Sequence, residues 1–152
     1  MKKILLIGAP NVGKTTFLRK LKTGNFDNRR IETVGSNVHR INFNDHELEI
    51  WDIGGTNVEQ LSSYCNNVDG IMIMYSGEDR TVFEYMQNVD KNNLSLTLPI
   101  VIIKNKSGNE SRRGALMPIL QDIYPNEIFR HTVIDTELDF NITKPLELLF
   151  DN

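Results

Sequence analysis

Residues 8–15 of this 152-residue chain read GAPNVGKT, and they decide its fold. They match the pattern G-x-x-x-x-G-K-[ST] at every required position. The preceding residues 3–7 (KILLI) form a short apolar run, which predicts a buried strand. The following residues 16–21 (TFLRKL) place their apolar side chains on one face, which predicts a helix. The alternative is a glycine-containing turn between a strand and a helix, and the match of the context on both sides of the motif disfavours it.

The residue types in this loop suit an anion. Gly8 and Gly13 allow backbone N–H groups to curl around a phosphate without a Cβ in the way. Those N–H groups and the N-terminus of the helix supply partial positive charge. Lys14 is predicted to reach the β- and γ-phosphates, and the Thr15 hydroxyl to bind Mg²⁺. The predicted nucleotide-binding set from this stretch is Asn11, Val12, Gly13, Lys14, Thr15 and Thr16.

Composition predicts one soluble domain over residues 1–152. A hydrophobic share of 39% and a charged share of 24% are ordinary for a globular protein. A single cysteine, Cys65, excludes an intrachain disulfide. We expect no signal peptide, membrane helix or lipid anchor, and a location in the cytoplasm or nucleus. The net charge is −3, but residues 1–40 contain nine basic and only two acidic residues. This excess of positive charge favours a field around a bound polyphosphate over a nucleic-acid-binding patch.

The remaining pattern predicts an α/β protein of the phosphate-loop fold. Residues 25–36 read as an exposed loop, and residues 38–43 and 46–51 as the two strands of an antiparallel hairpin. Further strands are predicted at 70–75, 98–103 and 128–134, and helices at 79–89, 114–124 and 141–150. The expected sheet is six-stranded and mostly parallel, with one antiparallel edge strand and helices on both faces. Ligands of such sheets bind at the carboxyl ends of the strands.

A second motif, DIGG at residues 52–55, follows the second hairpin strand. Asp52 lies 38 residues after Lys14, at the end of an apolar strand. This placement suits a carboxylate that holds Mg²⁺, through water. The N–H of Gly55 could reach a terminal phosphate. By itself D-x-x-G is a common turn sequence, so its weight comes from the phosphate-binding loop that precedes it.

These motifs resemble those of Ras-superfamily small GTPases over nearly the whole chain. Within the superfamily, residues 23–26, 32–39 and 141–149 are most similar to Ran. Residues 51–55 (WDIGG) look more like an Arf, and residues 10–14 (PNVGK) resemble the bacterial Era type. The resemblance therefore implies GTP and GDP as ligands with Mg²⁺, and a nucleotide-dependent switch as the function.

The resemblance also implies individual roles. Thr33 matches the switch threonine that binds Mg²⁺ and senses the γ-phosphate; the alternative is a loop threonine without a partner. Asn105 matches the residue that ties its loop to the phosphate-binding loop, and the Lys106 stem would cover one face of the base. The backbone N–H of Thr136 would meet the base oxygen. Lys14, Thr33 and Thr56 form the predicted catalytic set, and Thr15, Thr33 and Asp52 the predicted metal ligands.

Several positions depart from the family pattern. Gly108 stands where the family has its guanine-reading aspartate, which puts guanine specificity in doubt; Glu110 is a candidate substitute. Residues 135–137 (DTE) replace the S-A-K loop and lack its lysine. Thr56 replaces the glutamine that orients the attacking water, so intrinsic hydrolysis should be very slow. Asn11 matches the asparagine of potassium-activated Era-like GTPases, which suggests that K⁺ accelerates hydrolysis here.

Three functions are compatible with these residues. The first is a switch in which Mg²⁺–GTP orders the loops and forms a surface for an effector or regulator protein, over residues 28–42 and 54–66, with slow hydrolysis and a monomeric state. The second is a pseudo-GTPase that docks to partners with altered nucleotide specificity or none, supported by Gly108 and Thr56. The third, a nucleotide kinase, is weaker because no arginine-rich lid is evident. No nucleic-acid partner is expected.

Overall fold

A computed structural model describes residues 1–8, 13–23, 32–33, 38–54, 67–76, 98–105, 129–136 and 140–150. The strands are β1 (Lys2–Gly8), β2 (Glu32–Thr33), β3 (Val38–Phe43), β4 (His46–Gly54), β5 (Gly70–Tyr75), β6 (Ile100–Asn105) and β7 (Phe129–Ile134). The helices in this part of the chain are α1 (Lys14–Thr23) and α2 (Lys144–Phe150). The predicted helices at 79–89 and 114–124 lie outside the described residues.

The strands form one sheet in the order β2-β3-β4-β1-β5-β6-β7. β1 pairs in parallel with β4 and β5, and β5, β6 and β7 continue the parallel part. β3 runs antiparallel to β4, as the hairpin pattern predicted. The predicted fold class is confirmed. One difference is that Glu32–Thr33, expected within an exposed loop, pairs with β3 and so places a two-residue strand outside the antiparallel one.

The β3–β4 hairpin turns through Asn44 and Asp45. Both residues have positive φ values, 47° and 65°, as a two-residue primed turn requires. Such turns favour glycine, but asparagine and aspartate enter the left-handed region more readily than other side chains. The sequence therefore closes this hairpin without a glycine.

The hydrophobic core lies between the sheet and the two described helices. β5 and β6 are buried at every residue, because both strands have neighbours on either side. On the helix-facing side, Ile4 and Leu6 of β1 pack in one cluster with Phe17 and Leu21 of α1. Burying side chains of this kind contributes about 1.5–3 kcal/mol each. The core thus fixes α1, and with it Gly13 at the start of the helix, against the centre of the sheet.

The C-terminal helix α2 starts three residues later than the predicted span of 141–150. Asn141 has a φ of 62°, so the chain turns there before the helix begins. Its Nδ2 donates to Thr132 Oγ1 at 3.2 Å and to the Val133 carbonyl at 3.1 Å. At the other end of the helix, Arg130 Nη1 donates to the Leu148 carbonyl at 2.8 Å, where a cation complements the helix dipole. Neither described helix has the length and apolar character needed to cross a bilayer.

Candidate functional site

The carboxyl ends of the parallel strands bring the sequence motifs together. In the register of the sheet, Gly8 at the end of β1 lies beside Gly54 of β4 and Met74 of β5. Asn105, the last residue of β6, lies beside Ile134, the last residue of β7. The phosphate-loop pattern, the D-x-x-G motif and the Asn-Lys motif therefore meet at one edge, which we call the carboxyl edge.

Gly13 joins the phosphate-binding loop to α1. Its φ is +101°, a conformation that side chains other than glycine rarely adopt. Its carbonyl accepts the N–H of Phe17 at 2.8 Å, which closes the first turn of the helix. A Cβ at this position would collide with Asn105 Nδ2 and would lie 3.4 Å from Asn105 Cγ. Glycine is therefore needed here for two reasons, the backbone conformation and the close approach of Asn105.

Asn105 also contacts Thr136, beyond the end of the neighbouring strand. Asn105 Oδ1 accepts the Thr136 N–H at 3.3 Å, and Asn105 Nδ2 donates to Thr136 Oγ1 at 3.2 Å. Thr136 Oγ1 also lies 3.4 Å from Asn105 Oδ1. The sequence assigned the Thr136 N–H to the base oxygen of a nucleotide, but in the structure this N–H donates to Asn105. The sequence signal for this pair was that both residues are polar and lie at or just beyond the ends of adjacent parallel strands.

The segment that carries Thr136 is closed by its own backbone. The Asp135 N–H donates to the Phe140 carbonyl at 3.0 Å, and the Phe140 N–H returns to the Asp135 carbonyl at 2.9 Å. Thr136 therefore leaves β7 in a turn whose two ends are fixed to each other.

Lys14 is buried at the start of α1, with 9% of its surface exposed. Its Nζ donates to the Gly8 carbonyl at 2.9 Å across the loop. Burial lowers the pKa of Lys14, because desolvation disfavours the charged amine, while the nearby Asp52 carboxylate raises it. The ammonium group is thus held at the carboxyl end of β1, where an anion would compensate its desolvation.

Asp52 is the matching carboxylate on β4, and its side chain is half-buried. Burial raises its pKa, and Lys14 and His39 lower it. Its Oδ1 is buried and has no hydrogen-bond partner among the described residues. A buried oxygen of this kind is suited to a metal ion or a metal-bound water. The described residues contain no group of three His, Cys, Asp or Glu side chains, so a Mg²⁺ here would rest on one carboxylate, hydroxyls, phosphates and water.

The threonines of the predicted set lie on two elements, α1 and β2. Thr15 is exposed and Thr16 half-buried in the first turn of α1, next to Lys14. Thr33 is paired with His39, and His39 in turn is paired with Ile50 of β4. His39 is a residue near the Asp52 carboxylate that the sequence motifs did not indicate. The alternation of β3 places it on the same side as buried Ile41, and that signal could have located it.

The other predicted site residues cannot be placed in the same way. Asn11, Val12, Gly55, Thr56 and Lys106 lie outside the described residues, as does Gly108 at the expected guanine-reading position. Their roles stay predictions.

A strand, a phosphate-binding motif and a helix at the carboxyl edge of a mostly parallel sheet, with a buried lysine near a half-buried carboxylate, define a phosphate-loop nucleotide-binding protein. Two comparisons identify the family. Residues 3–108 match the family model described as Roc, the Ras of Complex domain of DAPkinase. A protein of Dictyostelium discoideum described as ADP-ribosylation factor F is 34% identical over 117 residues, which cover 76% of this chain and 56% of that relative.

The chain therefore belongs to the Ras superfamily of small GTPases, as the motifs predicted. Members of this superfamily are GTP-binding switch proteins. The chain spans little more than half the length of the curated relative it matches, so its own substrate, activity and partners are matters for proposal.

Proposed function

We propose that this chain binds GTP and GDP with Mg²⁺ at the carboxyl edge and acts as a nucleotide-dependent switch with slow hydrolysis. One observation carries the proposal: the buried amine of Lys14 lies near the half-buried carboxylate of Asp52, whose buried Oδ1 has no hydrogen-bond partner in the part of the chain that the structure describes. Removing each charged group from water costs free energy. A bound polyphosphate would offset this cost for Lys14, and a divalent cation would offset it for Asp52.

The described residues would hold such a ligand as follows. Lys14 would exchange its hydrogen bond to the Gly8 carbonyl for phosphate oxygens. Thr15 and Asp52 would hold Mg²⁺, which, when bound, neutralises charge on the phosphates. Thr33 would add a ligand only in the triphosphate state, so β2 would have to leave its pairing with β3. A two-residue strand makes such a rearrangement inexpensive.

Hydrolysis is expected to be slow because Thr56 replaces the water-orienting glutamine. A Thr56→Gln variant should therefore hydrolyse GTP faster than the wild type. The potassium effect, which rests on Asn11, belongs to the same proposal. Turnover measured in KCl and in NaCl at equal ionic strength tests it, and equal rates would exclude it.

The ligand itself can be tested with Lys14. We expect Mg²⁺–GTP and Mg²⁺–GDP to bind the purified protein, and Lys14→Ala to weaken both by about a hundredfold, because charged hydrogen bonds to phosphate are lost. Lys144→Ala is the matched control, since Lys144 lies on α2 and is largely exposed. Isothermal titration with GDP, GTP and ATP, each with and without Mg²⁺, gives the affinities and the base preference that Gly108 and Glu110 leave open. Lack of binding by all three nucleotides would refute the proposal.

The finer assignments are proposals of the same kind. The partner surface would comprise residues 28–42 and 54–66, and the G domain would occupy residues 1–152. A nearest kinship with Ran, a monomeric state and a place in the cytoplasm or nucleus stay predictions. The switch would be supported if a partner protein bound residues 28–42 in only one nucleotide state. Substitutions within residues 38–42 should then abolish that binding.

A further inference from the structure

We propose that His39 is a further ligand of the divalent cation that accompanies the nucleotide, and that its imidazole shifts the preference of the site from Mg²⁺ towards Co²⁺. The proposal rests on the proposed function, since the cation would be held together with a bound nucleotide. A site made only of a carboxylate, hydroxyls, phosphates and water would favour Mg²⁺.

The first observation is that His39 and Asp52 lie on the same face of the sheet. His39 of β3 pairs with Ile50 of β4. Asp52 follows Ile50 by two residues, so the alternation of the strand turns both side chains to the face that His39 shares. Diagonal neighbours of this kind lie about 7–8 Å apart across an antiparallel pair, which is within reach of long side chains.

The second observation is that each of these side chains places a polar atom out of contact with solvent. The two atoms are His39 Nδ1 and Asp52 Oδ1. Burial raises the pKa of Asp52, while Lys14 and His39 lower it, so the imidazole acts on the carboxylate at close range. An imidazole nitrogen and a carboxylate oxygen, both shielded from water, therefore lie in one small region of the protein.

The third observation is the order of the strands, in which β4 lies between β1 and β3. On one flank of Asp52, the Lys14 amine donates to the Gly8 carbonyl at the end of β1. On the other flank, β3 carries His39. Because like charges repel, a divalent cation held by Asp52 is favoured on the flank of His39 over the flank of Lys14.

An imidazole ligand changes which cation such a site prefers. Mg²⁺ is a hard cation that takes oxygen ligands and gives up its water reluctantly, whereas Co²⁺ also binds imidazole nitrogen well. With His39 as a ligand, the protein should hold a nucleotide more tightly in the presence of Co²⁺ than in the presence of Mg²⁺. A histidine that merely neighboured Asp52 would behave differently, since its replacement would change binding with the two cations by the same factor.

The test compares His39→Gln with His46→Gln. His46 lies on the same hairpin but is exposed and stacks on Phe150, so its replacement is the matched control. We expect the wild type and His46→Gln to bind GDP about tenfold more tightly in saturating Co²⁺ than in saturating Mg²⁺, as one added metal ligand implies. In His39→Gln the two affinities should agree to within about twofold. Equal affinities in the wild type, or a ratio that His39→Gln leaves unchanged, would overturn the proposal.

A second measurement detects the ligand directly. Protein labelled uniformly with ¹⁵N is loaded with Mn²⁺ and unlabelled GDP, so that any ¹⁵N coupling in pulsed electron paramagnetic resonance comes from the protein and not from the base. We expect the coupling of a directly bound imidazole in the wild type and in His46→Gln, and its loss in His39→Gln.

The wild-type spectrum decides the question even if His39→Gln does not fold. If GDP binds with Mn²⁺ but no imidazole coupling appears, the role of His39 is refuted and the proposed function stands. If the wild type binds no nucleotide with Mg²⁺, Mn²⁺ or Co²⁺, both the proposed function and the role of His39 fail.

Discussion

The two ends of the sheet differ in how their polar groups are satisfied. At the carboxyl edge the chain buries Lys14, Asn105 and Thr136, and the buried Oδ1 of half-buried Asp52 has no hydrogen-bond partner among the described residues. At the opposite end, which we call the amino edge, the polar side chains are exposed or stack on aromatic rings. His46 of the hairpin lies parallel to the Phe150 ring, with centroids 4.7 Å apart.

The contacts described at the amino edge join protein groups to one another. The Lys2 amine stands 5.1 Å from the Phe150 centroid, and the Lys3 amine 4.6 Å from that of Trp51. The Lys3 N–H donates to Asp69 Oδ2 at 2.8 Å. Among the described residues, the buried lysine amine and the buried Asp52 oxygen therefore lie at the end of the sheet where a ligand would offset their desolvation. Substitutions at the carboxyl edge should therefore change ligand binding, and those at the amino edge should change stability.

The largest expected effect comes from Gly13→Ala. The new Cβ meets Asn105 Nδ2, and the φ of +101° is unfavourable for alanine, so the loop must shift. We expect nucleotide affinity to fall by at least about a hundredfold, with unfolding free energy reduced by about 2 kcal/mol or more. Gly70→Ala is the matched control. Its Cβ would meet the flexible ends of Leu149 and Ile4 at 3.1 and 3.2 Å, so only stability should fall. Equal loss of binding in both variants would contradict the comparison.

Asp52→Asn should weaken Mg²⁺-dependent nucleotide binding by at least about tenfold, since the charged ligand is lost. Without nucleotide and Mg²⁺, the same variant should be more stable than the wild type. Burial raises the pKa of Asp52, so the folded state holds the proton more tightly than the unfolded state does. As pH rises above the ordinary value of 3.8, ionisation of Asp52 therefore lowers wild-type stability, whereas asparagine has no proton to lose.

The measurement for Asp52→Asn is thermal unfolding from pH 4 to pH 8, in which the stability difference from the wild type should widen with rising pH. Asp45→Asn is the control, because Asp45 is exposed in the hairpin turn and asparagine tolerates its positive φ. A difference that narrows with rising pH would show that attraction to Lys14 outweighs desolvation.

The smallest effect on binding is expected at the amino edge. Phe150→Ala removes the ring on which His46 and the Lys2 amine rest, and should lower the unfolding free energy by about 2 kcal/mol. Affinity for Mg²⁺–GDP should stay within about twofold of the wild type. Denaturant unfolding and nucleotide titration of the same preparation check both values. A large loss of affinity would mean that the two edges are coupled.

Much of this fold could be predicted because the apolar runs are unambiguous. The strand over residues 70–75 was predicted with its observed bounds, and β1 and β6 within two residues. Strand β2 could not be predicted, because two residues carry no periodicity and exist as a strand only through pairing with β3. The start of α2 was missed for a similar reason: the left-handed Asn141 is held by Thr132 and Val133, which belong to another element.

For the site, the sequence indicated the residue types but not their partners. His39 was not assigned to the surroundings of Asp52, since the two are brought near each other only by the register of the hairpin. The Thr136 N–H was assigned to a base oxygen, whereas the structure gives it to Asn105.

The phosphate-binding motif, the order of strands β1 and β3 to β7, and the membership in the Ras superfamily could all be inferred from the chain's local spacing and hydrophobic pattern. Folding was needed to show that Asn105 lies between Gly13 and Thr136, and that a buried Asp52 oxygen has no hydrogen-bond partner among the described residues. Such contacts join residues that are 31 or more positions apart in the chain, and they depend on strand register and burial, which no local pattern encodes.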